Sequence, residues 1–132
     1  MNIPKDLLYG KTHEWLKKNN DGTATIGISD FAQHAMGDIV FAECKAVNTS
    51  IKKGDAFCEL ESVKAAESAY MPVSGTIVAI NETIVDNYEI INKSPYTDGW
   101  LVKIKISNEA ELKELLNPVQ YEKLVAEEEA KH

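Results

Sequence analysis

Glycines and Asn/Asp clusters interrupt this chain roughly every dozen residues, and β-branched runs fill the intervals. That spacing leaves room for short strands and little room for long helices, so it predicts a mostly β domain. Thr12-His13-Glu14-Trp15-Leu16-Lys17, the turn Asn19-Asn20-Asp21-Gly22 and the run Thr23-Ala24-Thr25-Ile26-Gly27-Ile28 read as a first hairpin. Ser29 or Asp30 can cap a short helix through Phe31, Ala32 and Ala35, with Gly37 ending it. Further strands are expected at about 38–43, 56–62, 67–70, 75–81 and 100–106, the last alternating apolar and polar from Val102 onward.

Beyond Ile106 the period changes. Leu112, Leu115, Leu116 and Val119 recur at helical spacing, with Asn108 as cap and Glu111 three residues on, the pattern of a capping box. Asn117-Pro118 then suits the start of a second helix through Tyr121, Leu124 and Val125. Glu127-Glu128-Glu129-Ala130-Lys131-His132 reads as a frayed, solvated tail. One internal echo, Gly37-Asp38-Ile39-Val40 against Gly75-Thr76-Ile77-Val78, suggests two similar β units packed face to face as a sandwich or closed barrel.

The 132 residues are 44% hydrophobic and 27% charged, which fits one domain over 1–132 with a core at about 9–106 and a helical segment at about 108–129. No apolar run approaches the ~18 residues of a membrane span. The opening Met1-Asn2-Ile3-Pro4-Lys5-Asp6 lacks the pattern of a secretory signal. A bacterial cytoplasmic protein is the simplest expectation, with the mitochondrial matrix as the alternative if a presequence precedes this chain. A net charge of −7 opposes nucleic-acid and anionic-membrane binding and suits visits to partners with basic patches. Plain solubility explains the same charge equally well.

Catalytic and metal-binding patterns are missing from the sequence. His13, His34 and His132 lie far apart, and no HExxH, Walker loop or GxGxxG occurs. Cys44 and Cys58 form neither a metal set nor a CxxC motif. Cys58 reads as a small core residue, and a Cys44–Cys58 disulfide is not expected in a reducing compartment.

The informative stretch runs from Gly54 through Glu61-Ser62-Val63-Lys64-Ala65-Ala66-Glu67 to Pro72-Val73-Ser74-Gly75. A strand leads in, an apex presents Lys64, and a strand leads out. Small Ala65 and Ala66 leave the amine unobstructed on one side, and acylating it would make a long uncharged tether. An ordinary surface lysine at a turn fits the spacing too.

Glu61-Ser62-Val63-Lys64-Ala65 with the downstream Pro72-Val73-Ser74-Gly75 resembles the lipoylation site of the H proteins of the glycine cleavage system. His13-Glu14-Trp15, Ile26-Gly27-Ile28-Ser29-Asp30-Phe31-Ala32-Gln33, Met36-Gly37-Asp38-Ile39-Val40-Phe41, Val85-Asp86-Asn87, Pro95-Tyr96 and Gly99-Trp100-Leu101 resemble further landmarks of that family, in order along nearly the whole chain. Biotin carriers typically present Met-Lys-Met at the tip, and lipoyl domains of 2-oxoacid dehydrogenases Asp-Lys-Ala. The chain departs from the family at Cys44-Lys45-Ala46-Val47, at Thr97 and at Ala69.

The resemblance implies a mostly β, lipoyl/biotinyl-type hybrid barrel-sandwich with a short helix in its N-terminal half and helices at its C-terminus. It implies lipoate joined by an amide to Lys64, with Glu61, Ser62, Val63 and Ala65 read by the lipoylating enzyme. It further implies a non-catalytic, monomeric carrier serving three enzymes. A pyridoxal-phosphate glycine decarboxylase loads an aminomethyl group, a tetrahydrofolate-dependent aminomethyltransferase takes the methylene, and a flavin dihydrolipoyl dehydrogenase reoxidises the dithiol. A groove sheltering the loaded arm is expected near Glu14, His34 and Glu67. The alternative is a lipoyl relay or H-like carrier that donates lipoate to, or serves, another system.

Overall fold

In a computed structural model, which describes residues 1–131, nine strands form two antiparallel sheets. The strands are β1 (Leu8–Tyr9), β2 (Glu14–Lys18), β3 (Thr23–Ile28), β4 (Ile39–Cys44), β5 (Ser50–Ile51), β6 (Ala56–Ser62), β7 (Ala66–Tyr70), β8 (Gly75–Ile80) and β9 (Val102–Ile106). The larger sheet has the order β1-β2-β3-β9-β8-β5 and the smaller one β4-β6-β7. Helix α1 (Asp30–Met36) joins β3 to β4, α2 (Glu89–Lys93) lies between β8 and β9, and α3 (Pro118–Ala130) closes the chain.

The two sheets share one hydrophobic core. Ile26, Ile77, Val102 and Ile104 of the larger sheet pack in the same cluster as Ile39, Phe57, Leu60 and Ala69 of the smaller one. The expected barrel-sandwich is therefore present, and the two echoing segments start strands in opposite sheets, β4 and β8. In β9 the expected alternation holds, with Val102 and Ile104 buried and Lys105 exposed. Strand β3 is buried on both faces. Its Gly27 sits opposite Trp15, and a Cβ there would come within 2.7 Å of the indole nitrogen, so only glycine lets the ring lie flat on the strand. That indole donates to the Pro95 carbonyl at 2.9 Å. Trp15 belongs to a second cluster with Leu7, Tyr9, Tyr121 and Val125, by which α3 docks on the β body.

The first hairpin and α1 form as the sequence predicts. Ser29 is the cap, its Oγ accepting the Ala32 N–H at 3.2 Å. The C-terminal region differs in two ways. Residues Glu109–Glu114 make a 3-10 helix, and the expected amphipathic α-helix and its capping box are absent. Asn108 does cap it, but the Glu111 carboxylate instead accepts the Ser74 N–H at 2.7 Å and its hydroxyl at 3.2 Å. Leu116 exchanges backbone hydrogen bonds with Tyr9, which stops any helix there, and Val119 is left 77% exposed. The second difference is the tail. It is helical through Ala130, anchored by buried Tyr121 and Val125 and started by a capping box between Asn117 and Gln120. His132 lies outside the described residues. No helix among the described residues is long and apolar enough to cross a membrane.

Candidate functional site

Strands β6 and β7 pair in register Glu61↔Ala66 and Leu60↔Glu67, so Val63, Lys64 and Ala65 form the hairpin tip. One side chain shapes that tip. Ser62 Oγ accepts the N–H groups of Lys64 at 3.3 Å and Ala65 at 3.0 Å, while the Ser62 N–H donates to the Ala65 carbonyl at 2.8 Å. The arrangement is a Ser-type turn in which a hydroxyl replaces a backbone acceptor. Val63 is 72% exposed, and its N–H donates to the Asp38 carbonyl at 3.1 Å, tying the tip to the segment after α1.

The stem of Lys64 lies over Gly37. A Cβ built on that glycine would come within 3.2 Å of Lys64 Cε, and Gly37 holds a positive φ of 81° as the C-cap of α1. Asn92 of α2 locks this support. Its Nδ2 donates to the Gly37 carbonyl at 2.9 Å and its Oδ1 accepts the Ile39 N–H at 2.9 Å. Sequence reading misses Asn92; its only signal is one amide directly after Ile90 and Ile91. Among the described residues Lys64 makes no ion pair. Its exposed surroundings mix apolar and acidic groups: Val40 and Val63, and Phe41 opposite Glu61 across the β4–β6 pair.

Beside the tip, a cleft of about 190 Å³ opens between α1 and the β6–β7 hairpin. Phe31, Ala35, Met36, Leu60 and Ala65 line it, with the carboxylates of Glu14 and Glu67. Glu67 is exposed. Glu14 is 2% exposed and accepts the Tyr70 N–H at 3.0 Å and the Thr12 hydroxyl. Burial pushes its pKa up to about 7, against those two hydrogen bonds, which pull it down. A second cleft of about 470 Å³ opens on the Lys11 and Lys53 side of the same carboxyl. Glu14 and Glu67 thus share a cleft with Ala65, next in sequence to Lys64. His34 does not line it. The turn of α1 carries that ring to an exposed position, facing a separate hollow with His13 and Glu128.

Another polar cluster, which sequence reading did not single out, fastens the C-terminal helix behind the cleft. His13 Nδ1 lies 2.8 Å from the Tyr121 hydroxyl, which lies 2.6 Å from Ser29 Oγ, the cap of α1. Glu128 Oε2 lies 2.6 Å from His13 Nε2, a contact that becomes an ion pair only when the imidazole is protonated. Burial lowers the His13 pKa, while the Glu128 carboxylate opposes that shift. Among the described residues no group of three or more His, Cys, Asp and Glu side chains could hold a metal.

A family profile described as glycine cleavage H-protein matches residues 7–128. A glycine cleavage system H protein of Carboxydothermus hydrogenoformans is 51% identical over 126 residues, covering 96% of this chain and 96% of that one. Its counterpart in Salmonella arizonae is 49% identical over 127 residues, covering 96% and 98%. The crystal structure of a glycine cleavage system H protein from Mycobacterium marinum superposes with a TM-score of 0.81 at 32% identity, covering 90% of this chain and 95% of the other. A profile match over nearly the whole length, together with relatives near half identity, assigns the chain to the glycine cleavage H-protein family.

Proposed function

We propose that this chain is the lipoyl carrier of a glycine cleavage system, with lipoate in amide linkage to Lys64. The observation that carries the reading is the tip itself. An exposed primary amine, free of ion pairs among the described residues, stands on a hairpin shaped by Ser62 and backed by Gly37. These residues fit the group, because an amide needs an accessible amine and a swinging arm needs a rigid base. When bound, lipoate supplies a disulfide that can take up an aminomethyl group and be reoxidised afterwards.

The chain's own part is positional. Glu61, Ser62, Val63 and Ala65 present the amine in a fixed shape to a lipoylating enzyme. The apolar walls of the cleft limit water, exposed Glu67 gives it an acidic side chain suited to a protonated amine, and buried Glu14 adds a carboxyl that ionises only as pH rises through about 7. His34 stands outside that cleft and serves, on this reading, at the surface. No residue of the chain is assigned a catalytic step. The partners on this reading are the decarboxylase, the aminomethyltransferase and the dihydrolipoyl dehydrogenase. They would meet an acidic surface on a carrier that works in the bacterial cytoplasm as a single-domain monomer.

Intact-mass measurement and peptide mapping of protein from lipoate-replete native cells test the reading. One lipoyl group on Lys64 and none on other lysines is expected. A bare Lys64, or biotin there, overturns it.

A further inference from the structure

Strands β4 and β6 run antiparallel with Cys44 directly opposite Cys58. The adjacent pair carries the ladder bond, Lys45 N–H donating to the Phe57 carbonyl at 2.9 Å, so the cysteines form a non-hydrogen-bonded pair. Such pairs hold their Cα atoms about 4.5 Å apart, inside the ~4.4–6.8 Å range that a disulfide spans. Both thiols are free, and their sulfurs already touch at 2.8 Å.

The two sulfurs differ in access. Cys58 is a core residue, 2% exposed and packed in the cluster between the sheets. Cys44 is half-buried at the end of β4, an edge strand of the smaller sheet. A small reagent therefore meets Cys44 first. The hydrogen bond with Cys44, then burial, push the Cys58 thiol far up, so it stays protonated and unreactive toward solvent on its own.

We propose that Cys44 and Cys58 are a peroxide-responsive thiol pair that closes to a reversible intramolecular disulfide between β4 and β6. The oxidant is a hydroperoxide, with hydrogen peroxide the simplest member. The Cys44 thiolate attacks one peroxide oxygen and the O–O bond breaks. Cys44 becomes a sulfenic acid, and the departing hydroxide leaves as water with the proton lost by Cys44. Cys58 Sγ then attacks the sulfenic sulfur, the S–O bond breaks, and the leaving hydroxyl takes the Cys58 proton as a second water. Two thiols and one hydrogen peroxide give one disulfide and two waters. Contact between the sulfurs favours this closure over a second oxidation of Cys44, because the resolving thiol is already in place. The disulfide would tie the edge strand to β6, the strand that leads to the Lys64 tip. This inference stands whether or not Lys64 is lipoylated.

The test uses the reduced full chain and hydrogen peroxide, followed by thiol alkylation and peptide mass mapping. Both thiols should disappear together, with one cross-linked peptide pair joining Cys44 to Cys58, and dithiothreitol should restore both. Sulfinic or sulfonic acid on Cys44 with Cys58 still alkylatable overturns the proposal, as does an intermolecular Cys44 dimer as the main product. Cys44→Ser, a small change at a half-buried site, tests the order of attack. Cys58 in that variant should react with peroxide at least about tenfold more slowly than the wild-type pair, and an unchanged rate overturns the assignment of Cys44 as the first target.

Discussion

The stem of Lys64 rests on the backbone of Gly37, at the one point where α1 ends and no side chain can intervene. Two needs meet in this glycine. Its φ of 81° with ψ of −162° lies in a region that only glycine visits easily, and a methyl group would press on Lys64 Cε at 3.2 Å. Gly37→Ala is therefore expected to cost about 1–3 kcal/mol and to slow acylation of Lys64. Asparagine should rescue neither, because the ψ is wrong for the left-handed helical region that Asn tolerates. Denaturant melts and the rate of lipoylation by a purified ligase read the two effects separately.

Ser62→Ala removes the acceptor of two tip N–H groups. The groups lie at an exposed turn where water can replace the hydroxyl, so the stability loss should stay near ~1 kcal/mol. The tip should nevertheless lose its shape, and lipoylation should fall more than stability does. Glu61→Ala, on the exposed end of β6, is expected to weaken lipoylation with an unchanged melting temperature. If both variants were modified at the wild-type rate, tip shape would not be what the enzyme reads.

Glu14 makes stability depend on pH in an unusual direction for a carboxylate. Its folded pKa of about 7 lies above the ordinary 4.5, so between those values the folded chain holds a proton that the unfolded chain has lost. Stability from this group is therefore full below about pH 4.5 and declines as pH rises through 7. At ~1.4 kcal/mol per pH unit the swing is on the order of 3 kcal/mol. His13 works the other way, since its lowered pKa removes stability as pH falls below 6.5. Glu14→Gln isolates the first contribution: the difference between variant and wild type, measured by urea melts from pH 4.5 to 8, should shift toward the variant as pH rises. A difference that stays flat across that range would contradict a protonated, buried Glu14.

The hairpin beneath Lys64 is legible in the sequence because its signals are contiguous: the apolar run Ala56-Phe57-Cys58-Glu59-Leu60, a tip with small Ala65 and Ala66, a second short run and Pro72. Its support is not, because Gly37, Asp38 and Asn92 reach the tip through pairings distant in sequence. The same blindness explains the C-terminal region. Leucine spacing favours a helix at 112–119, but Tyr9 claims the Leu116 backbone and Ser74 claims Glu111, two partners no local pattern displays. The acidic tail reads as frayed when judged by charge alone, yet buried Tyr121 and Val125 and the His13–Glu128 contact keep it helical. Among the sheltering candidates, Glu14 and Glu67 come together because β2 and β7 meet at the Glu14–Tyr70 bond. His34 falls away because its ring faces the hollow beside Glu128 and not the cleft of Glu14 and Glu67, although Phe31 and Ala35 border both.

Lys64→Arg should fold normally and fail to carry. Arginine keeps the charge and much of the stem at an exposed tip, where substitutions typically move stability by no more than ~0.5 kcal/mol. Its slightly longer side chain, on a stem one methylene shorter, can follow the same path over Gly37, and no ion pair among the described residues is lost. The guanidinium remains protonated and is a poor acyl acceptor, so no lipoyl amide can form. The expected result is an unchanged melting temperature with neither glycine-dependent CO2 exchange nor NADH formation when the other three components are supplied. Lipoylated wild type must restore turnover, and unlipoylated wild type must behave like the variant. An arginine variant that supported the complete cycle at a substantial rate would show that Lys64 is not the carrier site.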